Sequence, residues 1–371
     1  MNELNLDRRK FLTILGASSF VVGILGIQSC EKNIVEPLTL GEEISFITPN
    51  SKFFYKNGAD VSISNWKLPD ISKDSWVLKI DGLVGKPLEV KFSDLLAEES
   101  NSITMLKTIR CVIDSNDTQG LIGNAIWKGI PLKIFLDKAG VDSAKTKRFR
   151  LYGSDTFTNN IKYDRLYSAN NPKDLIQPLL VYEMNGLPLT PEHGFPVRLI
   201  VLEGYGFKNV KWISRVEATD KNDEFGTYQD AGFIDDGVIR TNSRMTYPVQ
   251  NAQVVSGAVR LSGFAVSGSN GIKAIEISVD DGTYQIAKMM SETELKTSIS
   301  NDVKVVQINN KDFTFPYRGV WIKWSADLTL SPGSHLVKIR ATDLDGNIQP
   351  DSDNDNSDGI NAISTISIKA I

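Results

Sequence analysis

Histidine and cysteine are scarce in this sequence of 371 residues, which contains two of each. Two cysteines exclude a disulfide-rich scaffold and a cysteine-rich zinc site, and two histidines exclude a histidine-rich metal site. No Cys-x-x-Cys-His motif occurs, so the sequence predicts no covalently attached c-type haem. Any redox chemistry would therefore need a bound cofactor.

The sequence also lacks an excess of positive charge, since its net charge at pH 7 is -4. Nucleic-acid-binding proteins need a basic surface that replaces counterions, so a nucleic acid is not expected as a partner. No glycine-rich phosphate loop and no βαβ nucleotide fingerprint occur, which argues against NAD and ATP. The 371 residues, of which 41% are hydrophobic, suffice for two globular domains.

The first 30 residues have the pattern of an export signal. Adjacent Arg8 and Arg9 precede an uncharged, apolar segment from Phe11 to Cys30. This is typical of the twin-arginine route, which carries folded proteins; an ordinary Sec signal and a retained membrane anchor are the alternatives. Cys30 ends the sequence IQSC, which resembles a lipoprotein cleavage site, although a plain cleaved signal also fits. We expect an exported protein, located in the periplasm or anchored to a membrane by a lipid at Cys30.

The sequence after the signal divides into a linker (31–50) and two domains. The first domain (51–248) mixes strand patterns with helical ones and is predicted to be α+β. Apolar residues at helical spacing over Leu132–Ala139 predict a helix that ends at Gly140.

The second domain (249–371) has short alternating strands separated by turns. Ile275–Val279 and Val337–Ala341 alternate apolar with polar residues, and Asp-Gly pairs follow both. This predicts an all-β, immunoglobulin-like sandwich.

Cys111 lies in LKTIRCVIDSND, between an apolar stretch and a polar loop. Taken alone, such a cysteine fits a buried core residue, but a thiolate is also a preferred ligand of soft, redox-active metals. Further blocks follow it. They are LIGNAIWKGIPL (121–132), YEMNGLPL (182–189), EHGFPVRLIV (192–201) and YGFKNVKWISRVE (205–217).

These blocks, in this order and spacing, closely resemble the molybdopterin domain of the sulfite oxidase and nitrate reductase family from Pro49 to Pro248. The second domain resembles that family's C-terminal dimerisation domain. The resemblance implies a molybdenum–molybdopterin cofactor, oxygen-atom transfer, a homodimer, and Cys111 as the metal ligand. The cofactor-binding residues that it implies are Phe54, Tyr55, Lys56, Asn57, Cys111, Asp155, His193, Arg198, Asn209, Val210 and Lys211. Arg198 and Lys211 could balance the cofactor's phosphate, and Asp155 could accept hydrogen bonds from a pterin amine.

The sequence departs from the family at the substrate end. Sulfite-oxidising members have arginines soon after the cysteine, where this chain has Asp114, Ser115 and Asn116. The element FFYKNG (53–58) resembles the family's FF-x-RNH, with lysine for arginine and glycine for histidine. The family's active-site tyrosine is expected at Phe233, its tryptophan at Trp127 and its C-terminal arginine at Arg318. The predicted catalytic set is therefore Cys111, Lys56, Asn116, Trp127, Phe233 and Arg318.

Fewer arginines and an added aspartate disfavour sulfite, a small dianion. We expect oxygen-atom transfer on another small substrate, in either direction, since a sulfoxide-type reductase would fit as well. An authentic sulfite oxidase that uses Lys56 and Arg318 is the alternative. A cofactor-free scaffold protein would have no need of Cys111. Without a haem domain, the enzyme is expected to exchange electrons with a separate partner, for example an exported cytochrome.

Overall fold

The computed structural model describes residues 44–57, 67–114, 120–167, 176–353 and 355–371. The predicted export signal, most of the linker, Gly58, and the segment with Ser115 and Asn116 lie outside the described residues. Within the described ranges, no helix is both long enough and apolar enough to cross a membrane.

The described chain consists mainly of strands, with a few short helices. The strands are β1 (Val77–Gly82), β2 (Leu88–Lys91), β3 (Ile103–Arg110), β4 (Ile122–Pro131), β5 (Arg148–Gly153), β6 (Thr158–Lys162), β7 (Leu179–Met184), β8 (Leu187–Pro188), β9 (Arg198–Ile200), β10 (Ile213–Thr219), β11 (Asn242–Tyr247), β12 (Ala252–Val254), β13 (Gly257–Val266), β14 (Ile272–Val279), β15 (Gln285–Ile286), β16 (Lys288–Met289), β17 (Ile322–Leu330), β18 (Gly333–Asp343) and β19 (Ser364–Ala370). The α-helices are α1 (Phe92–Leu96), α2 (Leu132–Ala139), α3 (Asp164–Tyr167), α4 (Thr227–Asp230), α5 (Glu292–Thr297) and α6 (Val306–Asn309).

Two five-stranded sheets and the helices between them form the first domain, which confirms the predicted α+β class. One sheet has the order β2-β1-β10-β5-β6, and β1 runs parallel to β10. The other has the order β3-β4-β7-β8, with β9 also paired to β7. Helix α2 buries Phe135 and Leu136 and ends at Gly140, whose φ of 69° is the left-handed conformation that glycine adopts at helix ends. The sequence had predicted these bounds.

The second domain is a sandwich of two sheets, as predicted. Their orders are β11-β13-β17-β16 and β12-β19-β18-β14-β15. The alternating residues of β14 and β18 place Ile275, Ile277 and Ile339 in the core between the sheets. The sandwich begins at β11, because this strand pairs with β13, so it starts before the boundary that we predicted at Pro248.

The two domains are packed together through a shared hydrophobic core. Met105 and Trp127 of the first domain belong to the same buried cluster as Phe264 and Trp321 of the second. Strand β3 runs through this region and ends one residue before Cys111. The packing of the two domains therefore borders the position of the cysteine.

Candidate active site

Cys111 lines a cavity formed by four separate parts of the first domain. These parts are the segment before β1, the end of β3, the turn after β5, and β9 with the segments on either side of it; Tyr228 of helix α4 completes the lining. The lining residues are Phe53, Phe54, Tyr55, Lys56, Ile109, Cys111, Asp155, Phe157, His193, Arg198, Gly206, Phe207, Asn209, Lys211 and Tyr228. Most residues of the predicted cofactor set thus face one cavity, although they are far apart in the sequence.

The cysteine is held just beyond the sheet. Its backbone N–H donates to the carbonyl of Leu121 at 2.9 Å, which continues the pairing of β3 with β4 by one residue. Burial raises the pKa of the Cys111 thiol, and the nearby Lys56 ammonium opposes that rise. Burial in turn lowers the pKa of Lys56, while the cysteine raises it. Lys56 therefore favours the thiolate form, which is the form that binds metals.

Arg198 is a buried cation with one hydrogen-bond donor, Nε, that is not used within the described residues. Its guanidinium donates to the carbonyls of His193 and Asn209, both at 3.1 Å, while its Nε has no partner among the described residues. Burial lowers the pKa of Arg198 to about 9. A buried charge with an unpaired donor is costly unless an anionic group binds it. The cavity therefore fits a ligand that carries a phosphate.

Gly194 allows this corner of the cavity to form. The short 3-10 helix Pro191–His193 ends at this glycine, whose φ is 100°. A Cβ at this position would lie 3.1 Å from the Cβ of Arg198 and 3.0 Å from that of Lys211. Glycine is thus favoured here both by its backbone conformation and by the close approach of the two basic side chains.

Lys211 forms its hydrogen bonds with other groups of the protein. Its Nζ donates to the carbonyls of Lys56 at 3.1 Å and Glu192 at 3.0 Å, and also to the side-chain oxygen of Asn57. Burial first, and Arg198 second, lower the pKa of Lys211 well below its ordinary value. An ammonium has three donors, and all three are occupied. Lys211 and Asn57 therefore hold the cavity wall together, which differs from the predicted contact of Lys211 with a phosphate.

His193 and Asp155 are the other titratable groups on the cavity wall from the predicted cofactor set. Burial lowers the pKa of His193 to about 3, and Arg198 and Lys211 add to this effect, so the imidazole is neutral at pH 7. Burial raises the pKa of Asp155, which Lys211 opposes, and the carboxylate accepts from the N–H of Phe157 at 3.3 Å. Both can exchange hydrogen bonds with a ring system that has amines and amides.

Asn209 and Val210 support the wall from behind. The side chain of Asn209 accepts from the N–H of Val201 at 2.8 Å and donates to the carbonyl of Tyr205 at 2.7 Å. Val210 is buried in the core, and its carbonyl accepts from the N–H of Leu199 at 2.8 Å. Their side chains are thus occupied within the protein, although Asn209 also lines the cavity.

Trp127 does not line the cavity, contrary to its predicted place in the catalytic set. The side chain is fully buried on β4, and its Nε1 donates to the carbonyl of Lys107 at 3.1 Å. Its ring centroid lies 5.3 Å from the Arg198 guanidinium and 5.6 Å from the Phe53 ring. Trp127 therefore supports two lining residues from beneath.

Tyr228 lines the cavity where Phe233 was predicted to do so. Phe233 is buried behind it, with ring centroids 5.3 Å apart, while Tyr228 stacks on Phe207 at 4.9 Å. Burial and the charge of Cys111 raise the pKa of Tyr228, so its hydroxyl is protonated at pH 7. A tyrosine in the same short segment, GTYQDAGF, was the sequence signal that could have identified it.

Arg318 and Asp114 also lie elsewhere than predicted. Arg318 lines a separate cleft, where it and Arg165, against the effect of burial, lower the pKa of Glu203 to about 2. Asp114 is fully buried and forms ion pairs with Arg110 and Arg244, so its charge is not directed at a substrate. Asn116 lies outside the described residues.

Among the described residues, no group of three His, Cys, Asp or Glu side chains could hold a metal ion. A metal bound to Cys111 would therefore take its other ligands from a cofactor.

Two families match adjacent parts of the chain. The oxidoreductase molybdopterin binding domain matches residues 65–227, and the Mo-co oxidoreductase dimerisation domain matches residues 237–365. The chain is 25% identical to sulfite oxidase of Arabidopsis thaliana over 83% of each chain. It is 27% identical to mitochondrial sulfite oxidase of Homo sapiens, covering 83% of this chain and 58% of that protein. It is 23% identical to nitrate reductase [NADH] of Solanum lycopersicum, covering 86% of this chain and 38% of that protein.

A solved structure has the same fold. The crystal structure of the sulfane dehydrogenase SoxCD from Paracoccus pantotrophus superposes with a TM-score of 0.70 at 22% identity, covering 92% of this chain and 87% of that chain. The likeness extends over both domains.

Proposed function

Because the chain belongs to the sulfite oxidase and nitrate reductase family of molybdopterin-dependent oxidoreductases, we propose that it transfers an oxygen atom to or from a small substrate other than sulfite. The family implies a molybdenum–molybdopterin cofactor, and the cavity fits it. Cys111 offers a soft ligand, and Arg198 offers a buried donor without a partner among the described residues. When bound, this cofactor supplies two-electron redox chemistry and oxygen-atom transfer.

The residues of this chain would have the following roles. Cys111 ligates the metal, and Lys56 stabilises its thiolate form. Arg198 binds the cofactor's phosphate, and His193 and Asp155 bind its ring atoms. Tyr228 holds a proton beside Cys111, because its raised pKa keeps the hydroxyl protonated. It could donate a hydrogen bond to an oxygen atom of the substrate.

The proposal on substrate rests on the hydrogen-bond partners of the cations that line the cavity. Of the three described cations that line it, Lys211 has all its donors bound to protein oxygens and Arg198 is bound to two carbonyls. Lys56 is left, and its charge acts on Cys111, where it favours the thiolate form. Sulfite is a dianion, and each charged hydrogen bond is worth about 1.5–3 kcal/mol. Lacking two such contacts, about 3–6 kcal/mol together, should weaken sulfite binding roughly 10²- to 10⁴-fold.

An authentic sulfite oxidase is the second candidate. Tyr228 favours it, because a phenol and a lysine beside the metal ligand could bind one face of sulfite. Asp114 is ion-paired with Arg110 and Arg244 and so does not repel sulfite, and Tyr228 rather than Phe233 lines the cavity.

Steady-state kinetics on the molybdenum-loaded enzyme separate the two candidates. Sulfite oxidation and the reduction of small sulfoxides should be measured with artificial electron carriers. We expect kcat/KM for sulfite oxidation to be lower than kcat/KM for sulfoxide reduction. The value for sulfite should rise in Asn116→Arg but not in the uncharged control Asn116→Gln. Sulfite oxidation as the dominant activity of the unchanged enzyme would establish the second candidate.

Export by the twin-arginine route is a further part of the proposal. Changing Arg8 and Arg9 to lysine should retain the precursor in the cytoplasm, because the route reads the arginine pair. Unchanged export would indicate a Sec signal. Labelling with a fatty-acid analogue would test Cys30 as the site of a lipid anchor.

The proposed assembly is a homodimer, supported by the match of residues 237–365 to the dimerisation domain. Electrons would pass to or from a separate partner such as an exported cytochrome. Analytical ultracentrifugation tests the dimer, and reduction of purified exported cytochromes by the enzyme tests the partner.

A further inference from the structure

The second domain binds the free edge of the strand that leads to Cys111. Strand β3 pairs with β4 along one edge only. On its other edge, Leu106 exchanges two hydrogen bonds with the side chain of Gln307, at 3.0 and 2.8 Å. Thr108 donates its N–H to the carbonyl of Gly319 at 2.8 Å and accepts from the N–H of Trp321 at 2.8 Å. The second domain thus takes the place of a neighbouring strand.

The same contact continues on both sides of Cys111. Arg110 donates through Nη2 to the carbonyl of Ile360 at 2.5 Å, and Val112 accepts from the N–H of Ile360 at 3.2 Å. Residues 106, 108, 110 and 112 therefore all bond to the second domain. These bonds use backbone groups at residues 106, 108 and 112 and side-chain atoms at 108 and 110, so the second domain contacts the chain on both sides of Cys111.

Asp114, three residues after Cys111, forms a buried ion-pair cluster with Arg110 and Arg244. Its Oδ1 accepts from Nη1 of Arg244 at 3.0 Å and from the N–H of Leu121 at 3.1 Å, and its Oδ2 accepts from Nε of Arg110 at 3.3 Å. Its own N–H donates to the carbonyl of Cys111 at 3.1 Å, and its carbonyl accepts from Nη2 of Arg110 at 2.8 Å. One residue thus joins both ends of the turn that presents Cys111, and joins that turn to β11.

The cluster should resist deformation. The side chains of Arg110 and Asp114 are fully buried, and that of Arg244 is 4% exposed. A buried carboxylate between two guanidinium groups is stable only when its geometry is kept, because removing one partner leaves an uncompensated buried charge. The position of the Cys111 turn therefore depends on a contact that the second domain makes.

We propose that Asp114 is a positioning residue and that the second domain, through Arg244 and Asp114, fixes the turn that presents the Cys111 sulfur. The role of Cys111 as a metal ligand rests on the proposed function, whereas the fixing of the turn does not. Without these contacts, Cys111 would lie at the end of a strand with one unpaired edge.

The test is the alkylation rate of Cys111 in the full-length chain, purified from a host that does not make the cofactor. A Cys30→Ser background leaves Cys111 as the reacting thiol, and iodoacetamide is the probe. Asp114→Asn, which keeps the size of the side chain, should raise the rate about tenfold or more, because charged hydrogen bonds that hold the turn are lost. Arg244→Met should do the same from the second domain, and Arg244→Lys, which keeps the charge, should restore most of the protection.

Asp235→Asn is the matched control. Asp235 is a buried carboxylate paired with Arg148 at 2.6 Å, remote from Cys111 in the separate cleft. It should lower stability without changing the alkylation rate. Combining Asp114→Asn with Arg244→Met should add little to either single change, because both disrupt the same contact.

Equal alkylation rates in wild type, Asp114→Asn and Arg244→Met would overturn the proposal, as would an equal increase in Asp235→Asn. In the molybdenum-loaded enzyme, Asp114→Asn should lower kcat with little change in KM. A wild-type protein without molybdenum would refute the proposed function and leave the alkylation result valid. If Asp114→Asn does not fold, the comparison of Arg244→Met with Arg244→Lys decides.

Discussion

Replacing Arg198 by methionine should separate cofactor retention from folding. In the cofactor-free protein, the change removes two hydrogen bonds to carbonyls and, with them, a buried cation whose Nε has no partner among the described residues. A charged hydrogen bond is worth about 1.5–3 kcal/mol, and an unsatisfied buried polar group costs about 1–3 kcal/mol. The two lost bonds amount to about 3–6 kcal/mol. They are opposed by the relief of the unsatisfied donor and by the cost of burying the guanidinium charge, which is several kcal/mol, so the free energy of unfolding should change by only about 2 kcal/mol.

The cofactor-bound protein should respond far more strongly. Removing one partner of a buried ion pair typically costs about 3–5 kcal/mol, which corresponds to roughly 10²- to 10⁴-fold weaker retention of an anionic cofactor. The measurements are molybdenum per folded protein after gel filtration, and urea unfolding of the cofactor-free form. Arg148→Met is the control, because Arg148 is a buried arginine paired with Asp235 away from the cavity. It should lower stability and keep molybdenum. Full molybdenum occupancy in Arg198→Met would refute the placement of the phosphate.

Three further predictions follow from the cavity. Cys111→Ser should abolish molybdenum binding and turnover while the melting temperature stays close to that of wild type, because a hard hydroxyl replaces a soft thiolate in the same space; metal analysis showing full occupancy would contradict it. Tyr228→Phe should keep the stack on Phe207 and leave KM nearly unchanged but lower kcat about a hundredfold, which is typical for loss of a proton donor; an unchanged kcat would exclude that role. In the cofactor-free protein, the folded-state pKa of His193 is about 3, below the unfolded value of about 6.5, so the unfolded state binds the extra proton and stability is lost as pH falls below about 6.5. This loss should amount to about 2 kcal/mol at pH 5 and be absent in His193→Gln, and unfolding curves that shift equally in both proteins would disprove it.

The cofactor side of the cavity was predictable from sequence because its residues lie in short, recognisable blocks. Lys56, His193 and Arg198 each belong to such a block, and the sheet topology brings the blocks around Cys111. Helix α2 was predictable for a local reason as well, since its apolar spacing and Gly140 are both sequence-adjacent signals.

The substrate side was less predictable because its geometry depends on distant contacts and on local register. The residue that faces the cavity is Tyr228, which lies on the short helix α4. Phe233 follows three residues after the end of this helix and is buried behind Tyr228. Trp127 is fully buried on β4 between the half-buried Ile126 and Lys128, and burial alone does not indicate which buried side chains meet the cavity. The partner of Asp114 is Arg244, 130 residues further along the chain, and no local motif announces that pair.

The ion pairs of Asp114 change the net charge expected near the cavity. A carboxylate three residues after Cys111, the proposed metal ligand, suggests a negatively charged pocket when only the sequence is read. With Asp114 paired to two arginines, the nearby charge that acts on the Cys111 sulfur is the Lys56 ammonium, which favours the thiolate form against the effect of burial on the pKa of Cys111. A dianion would add two negative charges to a buried site whose other lining cations, Arg198 and Lys211, already bind protein oxygens, whereas a neutral, polar substrate would meet the Tyr228 hydroxyl without that cost. Selection against sulfite would therefore arise from the shortage of uncommitted positive charge, and a single added arginine at position 116 is the change that should weaken it.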